Sequence, residues 1–231
     1  APVWLGLSSA GYNDIAVGDL NSDGYDDLVV LRGAGHTTSH IAIFYQQNRA
    51  LGAPVFRTVE DGGFLAHGLA VGDVTGDGRD DIVVTAGGNA PLAYLNIFVQ
   101  QADGALATNP VVYAAFHLPE AVEIGDVNHD GRNDVVAVHA AWMTLSVYTQ
   151  TVAGTLSAYE SYALPYTDYY RPGGLALGDV TGNGGVDVLI ANHSSLPAEN
   201  GLVVLANTGV APTSTITHPA LPTFITDTLV F

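Results

Sequence analysis

The chain has 231 residues, 48% apolar and only 13% charged, which suits one large domain with a sizeable core and excludes a disordered chain. Its net charge of −17, with 23 acidic residues, six arginines and no lysine, argues against nucleic acid and anionic membrane, both of which require basic patches. No apolar run approaches the roughly 20 residues that span a bilayer, and the absence of cysteine removes disulfides from the fold.

In chain order, the opening APVWLGL (1–7) has no basic head of the kind a signal peptide carries, which fits a chain already cleaved or a fragment. It is similar to APVFRTV (53–59) and so reads as a strand, with residues 1–9 a candidate closing strand. A unit then begins that occurs four times, approximately over 10–61, 62–118, 119–166 and 167–218. Each opens on a short apolar run (DIAVGDL, GLAVGDV, AVEIGDV, GLALGDV) that leads into an acidic loop. A second apolar run follows directly (DDLVVLR, DDIVVTA, NDVVAVH, VDVLIAN). A third alternates (HIAIFYQQ, LNIFVQQ, TLSVYTQ, GLVVLAN), and the first three units add a ragged fourth (PVFRTVE, PVVYAAF, SYALPY). Four short strands per unit of about 53 residues, punctuated by turn residues, predict an all-β propeller of four-stranded antiparallel blades. Residues 219–231 read as a C-terminal tail or closing strand, and TSTITHPALPTFITDTLVF (213–231) could supply the fourth strand that the last unit lacks. Four units allow a four-bladed ring, a piece of a larger ring, or chains that pair to complete one.

The acidic loops repeat at intervals of 54, 53 and 53 residues as D-x-[NTD]-x-[DN]-G-x-x-D. Four carboxylates crowded into one loop repel each other, at about 4 kcal/mol per pair at contact near a protein surface. A hard cation turns that repulsion into shared attraction. Side-chain oxygens at positions 1, 3, 5 and 9, a backbone carbonyl at position 7 and a glycine at position 6 for the sharp turn suit Ca²⁺, which takes six to eight oxygens. The first loop offers Asp19, Asn21, Asp23, the Tyr25 carbonyl and Asp27. The second offers Asp73, Thr75, Asp77, the Arg79 carbonyl and Asp81, and the third Asp126, Asn128, Asp130, the Arg132 carbonyl and Asp134. The fourth offers Asp179, Thr181, Asn183, the Gly185 carbonyl and Asp187, with two carboxylates only, and is expected to bind most weakly. Up to four structural Ca²⁺ are expected. An EF-hand is excluded, because position 12 is Val30, Val84, Ala137 or Ile190 instead of glutamate and the flanks are strands.

GDLNSDGYDDLVV and its three copies resemble the FG-GAP/VCBS repeat, found in the β-propellers of integrin α subunits, fungal propeller lectins and many bacterial surface proteins. The resemblance covers nearly the whole chain and implies that each loop joins the first and second strands of a blade and binds calcium. The Phe-Gly pair that gives the motif its name is poorly kept, with Phe64 near its place in the second unit alone. The family's usual blade number is seven, which four units do not meet.

No catalytic constellation stands out. Glu120 and Glu123 share a strand and could in principle serve glycoside hydrolysis, but read more simply as a solvated strand edge. No serine sits in a nucleophile elbow, and the loop glycines lack the strand–helix setting of a phosphate site. His36, His139 and His193 fall in or near loops after the second strands and read as ordinary loop residues. The best ligand candidate is YTDYYRPGG (166–174), a loop in which Tyr166, Tyr169, Tyr170 and Arg171 would offer stacking faces and a bidentate donor to a glycan or a protein partner. The expected function is therefore an extracellular, secreted or cell-surface binding module, calcium-stabilised and lectin-like or adhesive, that is not an enzyme. A structural subunit of an extracellular assembly, with self-association, is the alternative, and an enzyme accessory role ranks below both.

Overall fold

The computed structural model describes residues 11–34, 39–164, 170–194, 201–208 and 224–229, and every regular element among them is a strand. The first sheet holds β1 (Gly11–Gly18), β2 (Asp27–Ala34), β3 (His40–Phe44) and β6 (Val55–Thr58), with a small hairpin of β4 (Gln46–Gln47) and β5 (Ala50–Leu51) beside it. The second is β7 (Ala66–Gly72), β8 (Asp81–Gly87), β9 (Ala93–Phe98) and β10 (Val111–Ala114). The third is β11 (Pro119–Gly125), β12 (Asp134–His139), β13 (Thr144–Tyr148) and β14 (Glu160–Ala163). The fourth is β15 (Tyr170–Gly178), β16 (Asp187–Ser194), β17 (Gly201–Asn207) and β18 (Phe224–Leu229). In each sheet the strands lie side by side in chain order, so each is a propeller-like blade.

The first strands of successive blades pack on one another, β1 on β7, β7 on β11 and β11 on β15. They pair with the second strands in one shared register that ends on a glycine opposite an aspartate: Gly18 and Asp27, Gly72 and Asp81, Gly125 and Asp134, Gly178 and Asp187. Each first strand also slips register near its start. The second strands of blades two and three have blades on both their faces, and every residue of β8 and β12 is buried.

Among the described residues the core consists of three apolar clusters, one between each pair of neighbouring blades. Leu31 and Ile43 meet Ile82 and Phe98 between blades one and two, and Val83 and Ile97 meet Val135 and Tyr148 between two and three. Val136 and Leu145 meet Ile190 and Leu205 between three and four. Each such buried side chain contributes roughly 1.5–3 kcal/mol. Amide side chains tie the same boundaries. Gln100 Nε2 donates to Asp19 O (2.8 Å), Gln150 Nε2 to Asp73 O (3.3 Å) and Asn207 Nδ2 to Val127 O (2.6 Å), each reaching from the end of a third strand to the preceding blade.

Blade four departs from the pattern. The outer strands β6, β10 and β14 run antiparallel to their neighbours, whereas β18 runs parallel to β17, from Leu202 opposite Phe224 to Asn207 opposite Leu229. The strand expected within 213–231 is β18; the candidate closing strand at 1–9 lies outside the described residues.

Candidate functional site

The four acidic loops join first to second strands, at one end of the blades, and share a backbone wrap. The position 1 carboxylate accepts the amides of positions 5 and 6: Asp19 takes Asp23 N (3.1 Å) and Gly24 N (2.9 Å), and Asp126 takes Asp130 N (3.1 Å) and Gly131 N (2.9 Å). Asp73 and Asp179 do the same with Asp77 and Gly78, and with Asn183 and Gly184. The position 6 glycines have φ between 81° and 85°, the left-handed region that a side chain disfavours. Position 5 in turn accepts the amide of position 7, as Asp23 does from Tyr25 N (3.0 Å) and Asp130 from Arg132 N (3.0 Å).

Position 9 has a second role that spacing alone does not reveal. Asp27 accepts Leu20 N (3.2 Å) with one oxygen and Gln46 N (2.7 Å) with the other. Asp81 does so with Val74 N and Gln100 N, Asp134 with Val127 N and Gln150 N, and Asp187 with Val180 N and Asn207 N. One carboxylate thus ties the loop to the end of the third strand. All four are buried, and burial pushes the carboxyls of Asp81 and Asp134 up to about 6 despite these amide bonds. Position 7 also does more than lend a carbonyl. The guanidinium of Arg79 pairs with Asp77 and its Nε donates to Gln100 O (3.2 Å); Arg132 pairs with Asp130 and donates to Gln150 O (3.0 Å). Tyr25 and Gly185 supply no such charge to the first and fourth loops.

Among the described residues, no group of three or more His, Cys, Asp or Glu side chains forms a metal-holding cluster. The donor sets are mixed, with two or three carboxylates per loop and amide, hydroxyl and carbonyl oxygens for the rest. That chemistry fits a hard cation and not zinc. Thr75 Oγ1, at position 3 of the second loop, is buried without a hydrogen-bond partner, although it is near enough to Asp81 to hold that carboxyl down slightly. In the fourth loop Asn183 turns its amide nitrogen to Asn207 O (2.9 Å) and its oxygen to Gly185 N (2.7 Å).

Residues 19–84, 73–137 and 126–190 each match the FG-GAP-like repeat, in three overlapping stretches that run from the first acidic loop to the second strand of blade four. The chain belongs to the FG-GAP-like repeat family. Among solved structures it is similar to the Tc holotoxin pore of Photorhabdus luminescens, at 14% identity and a TM-score of 0.40, over 86% of this chain. The chain spans 11% of the length of that toxin chain. No curated protein matches it.

In blades two and three, where the turns are described, the FG-GAP-like units diverge at the opposite end of the blades, where second strands turn into third and fourth strands lead to the next blade. There Trp142, between β12 and β13, is 44% exposed and stacks on His117 with ring centroids 4.4 Å apart and 25° between planes. Phe116 meets Trp142, His117 and His139 edge-on. Ala141 (φ 63°) and Met143 (φ 45°) flank the tryptophan in left-handed backbone, a conformation costing of order 1–3 kcal/mol that persists only where the surroundings impose it. The Ala90 amide donates to His117 Nδ1 (3.2 Å), fixing the ring from the blade-two side. Spacing does not predict this platform: a single tryptophan in HAAWMT carries no periodic signal, and the sequence offers as a cue only that Trp142 is one of two tryptophans in the chain.

His139, expected in a loop, is instead a fully buried residue of β12. Its Nδ1 lies 3.0 Å from His117 O, an acceptor only, so Nδ1 carries the proton and Nε2 accepts from Ser146 Oγ (2.8 Å). Burial lowers its pKa to about 4, which keeps it neutral. His193 is likewise in a strand, β16, while His36 lies outside the described residues. The loop expected at 166–174 gives way to strand from Tyr170 onward, where Tyr170 pairs with Ser194 and Arg171 with His193 beyond the register slip at Pro172. Tyr166 and Tyr169, and the side chains of Tyr170 and Arg171, lie outside the described residues.

Glu120 and Glu123 do not form a solvated edge either. Both are partly buried and line a cavity of about 460 Å³ between the four first strands, with Asp14 and His67. His67 Nδ1 is 3.4 Å from Glu120 Oε2, and Asp14 accepts Leu69 N at 2.9 Å. Burial, helped by the charge on Asp14, raises the Glu123 carboxyl above its usual range.

Proposed function

We propose that this FG-GAP-like protein is an extracellular, calcium-stabilised binding module that presents a variable loop face to a glycan or an extracellular protein, and that it acts by binding and not by catalysis. The observation that carries the reading is the division of labour along each blade. One end repeats a single loop four times; the other holds an exposed aromatic stack that occurs once among the described residues. Trp142 and His117 offer the flat, partly wetted faces on which sugar rings or apolar side chains pack, and the strained turn around Trp142 keeps it presented. The donors at positions 1, 3, 5, 7 and 9 of each loop are the residues that would hold Ca²⁺, with the fourth loop weakest because it brings two carboxylates and has its Asn183 amide engaged elsewhere. When bound, the ion supplies the positive charge that lets these carboxylates share one turn.

The test is a glycan array run in calcium and again with chelator, on the wild type and on Trp142→Ala. Calcium-dependent signal for one sugar class that Trp142→Ala abolishes supports the lectin-like form. A blank array from folded protein sinks the glycan reading and moves the search to protein ligands of the same face.

A further inference from the structure

Position 8 of the acidic loop carries no donor role in the repeat, lying between the position 7 carbonyl and the buried position 9 carboxylate. In two blades its side chain turns out of its own loop and onto the loop before. Asp80, position 8 of loop two, accepts Asp19 N through Oδ2 at 3.0 Å. Asn133, position 8 of loop three, donates from Nδ2 to Asp73 O at 3.1 Å. Both contacts fall on the backbone of a position 1 aspartate, the residue whose carboxylate organises the wrap.

The same following blade holds the loop at two further points. Gln100 Nε2 donates to Asp19 O and Gln150 Nε2 to Asp73 O, so Asp19 is held at both its N and its O. The turn glycines Gly104 and Gly154 press on the carbonyls of position 3: a Cβ on either would lie 2.4 Å from Asn21 O or Thr75 O. Gly18 in turn leaves room for Asp80, since a Cβ there would stand 2.7 Å from its Oδ2. Position 8 of the fourth loop is Val186, which faces Gly125 and has no polar atom to offer to loop three.

We propose that position 8 is a positioning residue for the cation of the preceding loop: Asp80 of blade two completes the calcium site of loop one, and Asn133 of blade three that of loop two. The proposal rests on the calcium reading above and adds to it that each of these sites belongs to two blades. A loop must turn several oxygens onto one centre. A position 1 residue whose backbone is already fixed loses less freedom in doing so. Partners that orient ligands from outside the donor set are typically worth 10–100-fold in metal affinity. Asp80 also sets a further negative charge beside loop one, which Asn133 does not give to loop two.

Tyr25 makes loop one readable by itself. It stands at position 7, where the other loops have Arg79, Arg132 and Gly185. Terbium, a hard cation that takes the same oxygen ligands, emits when a tyrosine beside it is excited, so the emission that Tyr25→Phe removes belongs to loop one. Titrated into the full chain, terbium is expected to bind loop one roughly 10- to 100-fold more weakly in Asp80→Ala. Asp80→Asn, which keeps an acceptor oxygen for Asp19 N, should restore most of that loss. With the sensor moved to loop two by Arg79→Tyr on the Tyr25→Phe chain, Asn133→Ala should weaken terbium by a similar factor, and this pair decides if Asp80→Ala does not fold. An Asp80→Ala chain that binds terbium at loop one as tightly as wild type overturns the proposal. So does one whose melt in chelator falls while its terbium affinity holds, which makes Asp80 a structural contact alone. A wild type without Tyr25-dependent emission overturns the calcium reading itself, and the proposal with it.

Discussion

The two ends of each blade obey different rules. At the acidic end, four loops repeat the same hydrogen bonds almost bond for bond, and the position 9 aspartate is buried in every copy. At the other end the described turns of blades two and three differ, and among the described residues the arrangement around Trp142 occurs once. A repeat protein keeps constant what each blade needs in order to fold and varies what faces a partner. On the proposed function the difference is one between stability and recognition, and substitutions at the two ends should report on different quantities.

The largest effect is expected from Asp134→Ala. It strands the buried amides of Val127 and Gln150, at roughly 1–3 kcal/mol each. Denaturant melts should show a loss of several kcal/mol, smaller for Asp134→Asn, which keeps an acceptor oxygen. An Asp134→Ala melt equal to wild type would mean that position 9 serves the cation alone.

Next comes His139, the buried support beneath the platform. Its pKa, about 4 when folded, lies below the 6.5 of the unfolded chain, so the unfolded state binds the extra proton between those values. Its contribution is complete above pH 6.5 and is lost as pH falls toward 4, by roughly 3 kcal/mol in all. Stability of the wild type minus that of His139→Gln, followed across this window, isolates the residue from the carboxylates; a flat difference would remove it from the acid response.

Each single calcium site should matter slightly less. An ion held at 100 times its dissociation constant adds about 2.7 kcal/mol per site. The melting temperature should rise with calcium and fall with chelator, and Asp126→Ala or Asp130→Ala should shrink that rise. Identical melts with and without calcium would end the metal reading. The smallest stability effect belongs to Trp142→Ala, expected within about 1 kcal/mol because the ring is half exposed, while ligand binding is lost. Stability and binding that fall together would erase the division between the two ends.

The acidic end was legible because its chemistry is local: nine residues set the oxygen spacing, the glycine turn and the strand that follows, and four copies remove the ambiguity of one. The strand order within blades followed from the same short range. The platform was not legible, because its parts come from separate turns: His117 from the linker between blades two and three, Trp142 from within blade three and Ala90 from within blade two. Glu120 and Glu123 were misread for a related reason. A strand edge and a cavity wall look alike in sequence, and only the packing of β7, β11 and β15 decides between them. The direction of β18 depends on the route of the chain between 207 and 224, which alternation of apolar residues does not encode.

That parallel pairing bears on the order in which the fold assembles. An outer strand that folds back antiparallel, as β6 does on β3 after the β4–β5 hairpin, starts beside the end its partner has just reached and can zip up as soon as that partner forms. β18 must first return along the full length of β17 across the 16 residues from 208 to 223. The loop-closure entropy of that return falls due before any of its six residue pairs forms. The fourth blade should accordingly be finished last and opened first, and native-state hydrogen exchange should find the amides of β18 the least protected of any outer strand.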